Sequence, residues 1–269
     1  MSTPSPADAP EAPFVLSARE GAIARVTLNR PERFNPLSSA MIAALSAELE
    51  RIAGDREARV VVLGASGRGF CAGHDLKEMR SHAGDAGWQR RLFDDCGRLM
   101  VQLTRLPQPV IARVHGIATA AGCQLVSMCD LAVAAEGATF ALPGVNVGVF
   151  CTTPAVGVGR NVPRKRAMEM LLTGEPVDAA SALAWGLVNR VVPAADLDRA
   201  VDELAGRIAA RSPAVVSRGK RAFYEQLDRP LEAAYDFAAE EMTRGVLLED
   251  AAEGMDAFLQ KRPARWSGR

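Results

Sequence analysis

Two short apolar runs, each followed by a stretch of glycine and other small residues, constrain this 269-residue chain more than anything else in it. Residues 60–63 lead into a glycine-rich segment, 64–73. Val110–Val114 leads into a second small-residue turn, 116–122, then a short helical segment at 123–128 and a strand at Leu131–Ala135. Strand, helix and strand in that order imply parallel pairing with crossover helices, and so an α/β fold. Ile23, Val26 and Leu28 mark a strand within residues 21–29, which Pro31 ends. Ser38 or Ser39 caps a helix whose Met41, Ile42, Leu45 and Leu49 recur at helical spacing. A helix fills much of residues 88–106, ended by Pro107 and Pro109. Beyond Pro163 the pattern is mostly helical, with a late strand at 187–192 and helices over 195–262 broken at Pro213, Pro230 and Gly245. The chain divides accordingly into a disordered tail (1–13), a core (14–195) and a helical C-terminal region (196–269).

Composition narrows the partners. Aromatics are only 5% of a chain that is 48% hydrophobic, so aliphatic side chains must fill the core. Basic and acidic residues both number 32, a balance that gives no reason to expect a nucleic-acid or membrane partner. No apolar run approaches membrane-span length. Five cysteines without a CxxC pair suit reduced thiols, and the first thirteen residues lack the features of a signal or transit peptide, so a cytoplasmic location is expected. His74, His82 and His115 form no cluster, so no metal is expected.

Five stretches carry a resemblance: LNRPERFNPLS (28–38), GRGFCAGHDLKEM (67–79), PVIARVHGIATAAGCQLVSMCDLAVA (109–134), PRKRAMEMLLTGEPVDAASALAWGLVNRVVP (163–193) and GMDAFLQKRPARW (254–266). Together, in this order, they resemble the enoyl-CoA hydratase/isomerase, or crotonase, family. GHDLKEM, ATAAGCQL and PGVNVG look most like its subgroup of the enoyl-CoA hydratase domain-containing protein 3. The resemblance implies a crotonase-like spiral of ββα repeats with a C-terminal helical trimerisation region, assembled as a homotrimer or dimer of trimers. It implies an acyl-CoA thioester as ligand, with coenzyme A part of the substrate and no separate cofactor. The backbone N–H groups of His74 and Ala121 would form an oxyanion hole; such donors stabilise the charge of an enolate-like intermediate. Arg33, Phe34, Asp75, Leu76, Lys77 and Gly122 would line the ligand site. Phe258 and Lys261 would close over CoA from a neighbouring subunit. The plain alternative for both loops is strand-to-helix turn chemistry, and a Cys71–His74 pair is a weaker one.

The sequence departs from the family where the hydratases do their proton transfers. The GGGCEL-type glutamate is Gln124 here, in AAGCQL, and the glutamate that follows a proline is Gly144. A glutamine amide holds water but does not titrate near neutral pH. Ordinary hydration is therefore expected to be weak or absent, and isomerisation loses its carboxylate too. Gln124 and Asn146 remain catalytic candidates, with Cys151 and Thr152 nearby. Three readings stay open: another crotonase-type reaction such as decarboxylation, a non-catalytic acyl-CoA-binding protein, and, more weakly, a Cys–His hydrolase that lacks any GxSxG elbow.

Overall fold

The computed structural model describes residues 12–269. The expected disordered tail lies outside the described residues except for its last two. Of these, Pro13 is tied down: its carbonyl accepts from Asn29 Nδ2 at 3.0 Å.

The strands are β1 (Val15–Glu20), β2 (Ile23–Leu28), β3 (Val60–Ala65), β4 (Val110–Val114), β5 (Ala118–Thr119), β6 (Leu131–Ala135), β7 (Thr139–Ala141), β8 (Val177–Asp178) and β9 (Arg190–Val192). The helices are α1 (Ser39–Ala53), α2 (Leu76–Ser81), α3 (Ala86–Arg105), α4 (Ala121–Met128), α5 (Thr152–Asn161), α6 (Arg164–Thr173), α7 (Ala179–Ala184), α8 (Leu197–Ala209), α9 (Pro213–Gln226), α10 (Leu231–Val246) and α11 (Glu249–Leu259). Six strands form one sheet in the order β1-β2-β3-β4-β6-β9, and β5-β7-β8 form a second. From β2 to β9 all pairs in the large sheet are parallel, with Val26 opposite Leu63, Leu63 opposite Ala112 and Ala112 opposite Ala132.

Both faces of the large sheet are covered. Val61 and Leu63 join a core with α1, α3 and α4, while Val60 and Val62 pack with Ile111, Val133 and the α8 residues Leu197 and Val201. A strand buried on both faces reads as an unbroken apolar run rather than an alternating one. Strand β1 carries the opposite pattern: beyond Val15 every residue is exposed, which is why sequence marks only its hairpin partner β2.

After α8 the chain leaves the sheet. Helix α9 is pinned back to the core by Lys220, whose side chain is 5% exposed and meets Asp130 Oδ2 at 2.6 Å. The same ammonium donates to the carbonyls of Leu103 and Gln108. Pro213 opens α9 and Pro230 sits at the N-cap of α10, as the breaks predict. The break expected at Gly245 falls one residue later, after Val246, before α11 starts at Glu249. Helices α9–α11 enclose an apolar cleft of about 900 Å³ lined by Phe223, Met242, Met255 and Phe258 among others.

Candidate functional site

The two small-residue turns meet. Cys71 N donates to Ile117 O at 3.0 Å and Thr119 N returns a bond to Cys71 O at 2.9 Å. Gly122, in the first turn of α4, packs so closely that a Cβ there would fall 2.2 Å from Cys71 O. Gly73 has φ +89°, and a Cβ there would lie 2.8 Å from Ala120 Cβ and 3.3 Å from Ala121 N. The amide of His74, one residue on, therefore sits at the same junction as that of Ala121. Neither amide donates in any hydrogen bond among the described residues. Ala121 is the first residue of α4, where backbone N–H groups have no carbonyl partner within the helix. Ala120 before it is held at φ 49°, ψ −118°, a conformation that suits glycine.

The His74 side chain is not a base. Its ring stands edge-on to Phe93 at 5.4 Å, its Nε2 is buried without a partner, and burial pushes its pKa down to about 4. Burial pushes the Cys71 thiol up to about 12, and the buried Nε2 of His74 has no hydrogen-bond partner, Cys71 included. The Cys71–His74 pair thus has no geometry behind it. Gln124 lies one turn after Ala121, is 4% exposed, and has a buried Oε1 with no partner. It lines a cavity of about 1240 Å³ between α1, α3, α4 and α5. Gly144 is packed against the 149–151 backbone: a Cβ would fall 2.2 Å from Val149 O and 2.8 Å from Cys151 Sγ. Its amide donates to that sulfur at 3.3 Å. Cys151 is a buried thiol, its pKa raised by burial, in a packing role. Asn146 is exposed and its amide lies against Gly174 at the end of α6, while Thr152 opens α5.

Beside the junction, Arg33 Nη2 meets Asp75 Oδ2 at 2.6 Å. Asp75 Oδ1 caps α2 by accepting from Lys77 N and Glu78 N, so one carboxylate fixes both the helix and the arginine. Phe34, at φ 58°, covers Gly69, where a Cβ would meet its ring at 2.6 Å. Leu76 and Lys77 are exposed on α2. Phe258, 83% exposed, and Lys261 lie instead at the end of α11, in the C-terminal region. The sequence reading missed Phe93 and the cavity. Phe93, Gly97 and Met100 recur at helical spacing on α3 and line that cavity together, a signal hidden behind the stronger buried stripe of Leu92, Cys96, Leu99 and Leu103.

A parallel sheet wrapped by helices, with two free amides where two glycine-bearing turns cross, defines a crotonase-type fold. The family model for enoyl-CoA hydratase/isomerase matches residues 18–269, and the chain belongs to that family. It is similar to an enoyl-CoA hydratase of Mycobacterium smegmatis of known structure, with a TM-score of 0.93 and 50% identity over 95% of this chain and 99% of that one. The human enoyl-CoA hydratase domain-containing protein 3 gives a TM-score of 0.91 and 43% identity over 94% and 100% of the two chains. Its relative from Rattus norvegicus is 43% identical, covering 97% of this chain and 87% of that protein. The subgroup resemblance therefore holds. The expected cytoplasmic location does not: the relatives of this subgroup from Rattus norvegicus, Xenopus laevis and Homo sapiens are all named mitochondrial. Cysteine usage misled here because reduced thiols fit other compartments equally well.

Proposed function

We propose that this protein binds an acyl-CoA thioester and polarises its carbonyl with the His74 and Ala121 amides, but hydrates enoyl thioesters weakly or not at all. The observation that carries the reading is the junction itself: two unpaired N–H groups brought together where Gly73 and Gly122 let the two turns pack against each other. Backbone donors aimed at a developing oxyanion are worth about 10²–10³ in rate. The missing partners are the carboxylates. General acid–base groups supply roughly 10²–10⁴ in rate, and neither Gln124 nor Gly144 has a proton to move at neutral pH. Arg33, Phe34, Asp75, Leu76, Lys77 and Gly122 would hold the ligand around the junction. Phe258 and Lys261 would reach CoA from a neighbouring copy, in an assembly built on threes; the exposure of Phe258 supports that placement.

Calorimetry with crotonyl-CoA against free crotonate tests the ligand. Binding of the thioester alone is expected, and equal or absent binding of the thioester would refute the reading. Turnover over a panel of CoA thioesters then separates a binding protein from an enzyme with another reaction, such as decarboxylation to an enolate. Light scattering tests the assembly; a monomer of 28.6 kDa at micromolar concentration would refute it.

A further inference from the structure

We infer that Asn35 is the positioning residue of the His74 amide: its buried side chain holds the 30–37 loop, and that loop fixes the peptide group that presents the His74 N–H to a ligand. This rests on the acyl-CoA reading above and names the residue that keeps one of its two donors in place.

The two donors are secured unequally. Ala121 opens α4, and the carbonyl before it, Ala120 O, accepts from Gln124 N at 3.0 Å, so helix geometry sets the direction of its amide. His74 follows Gly73, which is held at φ +89°. Glycine rotates with little steric penalty, so the Gly73–His74 peptide can flip and turn its carbonyl inward. The bond that opposes the flip runs from Leu37 N to Gly73 O at 2.7 Å, within a parallel bridge between Leu37 and His74. In a trans peptide the C=O and N–H groups point in opposite directions. A carbonyl held towards Leu37 therefore leaves the His74 N–H directed away from it, where it donates to nothing among the described residues.

Leu37 holds that carbonyl only if its own loop is still. Phe34 and Asn35 stand at φ 58° and φ 52°, a left-handed pair that persists only where the surroundings over-determine it. The Asn35 side chain supplies that constraint. It is fully buried and its amide is satisfied at both ends. Oδ1 accepts from Arg30 N at 2.7 Å, while Nδ2 donates to Ser66 O at 2.9 Å and to Gly69 O at 3.0 Å. One end of the amide closes the loop on itself; the other clamps it to the 66–69 segment that leads to Gly73. Main-chain bonds flank the clamp. Ala72 N donates to Phe34 O at 2.9 Å just before Asn35, and the Leu37 bond comes just after it. Being fully buried, Asn35 does not touch the ligand; it acts through Leu37 and the Gly73 carbonyl.

The test reads the thioester carbonyl directly. Crotonyl-CoA isotopically labelled at the carbonyl carbon is bound to the full chain, and difference infrared spectra give its C=O stretch. Two donors on the oxygen should lower that frequency relative to free crotonyl-CoA. Asn35→Gly permits the left-handed backbone and removes the clamp. In it the lowering should shrink towards that of one donor, while affinity falls by no more than roughly tenfold, the scale of one net hydrogen bond. Gln108→Ala is the control. The Gln108 Nε2 donates to Ile52 O at 2.9 Å, and Gln108 precedes β4 whereas the junction follows it, so this variant should keep the full lowering. Full lowering in Asn35→Gly, or an equal loss in Gln108→Ala, would overturn the inference and leave the acyl-CoA reading intact. Crotonyl-CoA that binds the wild type without any lowering, or does not bind, would overturn both. Hydrogen exchange resolved to single amides needs no variant. In the wild type the Leu37 N–H should exchange as slowly as that of Ile42, which donates to Ser38 O at 2.9 Å in α1. Fast exchange at Leu37 would overturn the inference even where Asn35→Gly does not fold.

Discussion

Replacing Gly144 by alanine should destabilise the protein, and the reason bears on whether a second carboxylate can be restored. The Cβ of any residue there would fall 2.2 Å from Val149 O, 2.8 Å from Cys151 Sγ and 3.2 Å from Cys151 N. Two of these three atoms are backbone, so no rotamer change relieves the contact. The 149–151 segment would have to retreat, weakening the Gly144 N to Cys151 Sγ bond of 3.3 Å. Overpacking of this kind costs typically about 1–3 kcal/mol. In a chain of this size each kcal/mol moves the melting temperature by about 2–4 °C. Gly144→Ala should therefore melt several degrees below wild type, measured by circular dichroism or calorimetry. Gly206→Ala is the control: a Cβ there meets nothing within 4 Å in the interior of α8, so it should be neutral or stabilising by up to about 1 kcal/mol. A Gly144→Ala protein as stable as wild type would show that the loop yields freely and that the contact argument is wrong. Gly144→Glu carries the same backbone conflict, so Gln124→Glu with Gly144→Glu should gain hydratase activity only if the 149–151 segment rearranges.

Other changes follow from buried groups. Ala120→Gly should raise stability by about 1 kcal/mol, since glycine adopts φ 49°, ψ −118° without strain; a lower melting temperature would count against strain at this turn. Lys220→Met should destabilise the protein by about 3 kcal/mol in denaturant unfolding by leaving the half-buried Asp130 carboxylate with Val110 N but without its cation, and adding Asp130→Asn should recover part of it. A single variant as stable as wild type would show that this pair does not hold α9 to the core. His74 has a folded pKa depressed from 6.5 to about 4, so its contribution is fully present above pH 6.5 and is lost as pH falls towards 4. By pH 5 the loss should reach about 2 kcal/mol relative to His74→Leu, and parallel pH profiles for the two proteins would refute it.

How much of this was legible in the sequence depended on whether a feature is local. Parallel strands β3, β4 and β6 announce themselves because burial on both faces leaves them almost wholly apolar, Arg113 of β4 being the exception. Strand β1 is invisible because its pairing with β2 asks little of its exposed side chains. The amides of His74 and Ala121 were placed by motif alone; only the structure reveals that Gly73 and Gly122 are the positions where a side chain would separate the two turns. Asn146 looked eligible by proximity in sequence to Gly144, yet its amide is turned towards Gly174, because the 3-10 turn Pro143–Val147 carries it out to the surface. Gln124 was read as a loss, the absence of a glutamate. That its Oε1 is buried and unpaired is visible only in the structure.

The histidine and cysteine side chains around the junction share one property: each is kept neutral. Burial depresses His74 to about 4 and raises Cys71, Cys96 and Cys123 to about 12, while Cys151 is raised by burial as well. At neutral pH none of them is poised to take or give a proton, and Gln124 never does. The carboxylate nearest in sequence, Asp75, is occupied by Arg33 and by the first turn of α2. A thioester carbonyl held at this junction would thus meet fixed dipoles without a proton relay. Such surroundings favour binding, or a reaction whose charge arrives on the carbonyl from the ligand itself, over one that must activate water. The same burial makes a carboxylate at position 124 expensive: Gln124→Glu would place an acid where the residue is 4% exposed, so desolvation should raise its pKa. Any hydration that variant shows should climb with pH as the carboxylate ionises. A pH-independent gain would mean that water reaches the position, and that the site is wetter than the burial of Gln124 indicates.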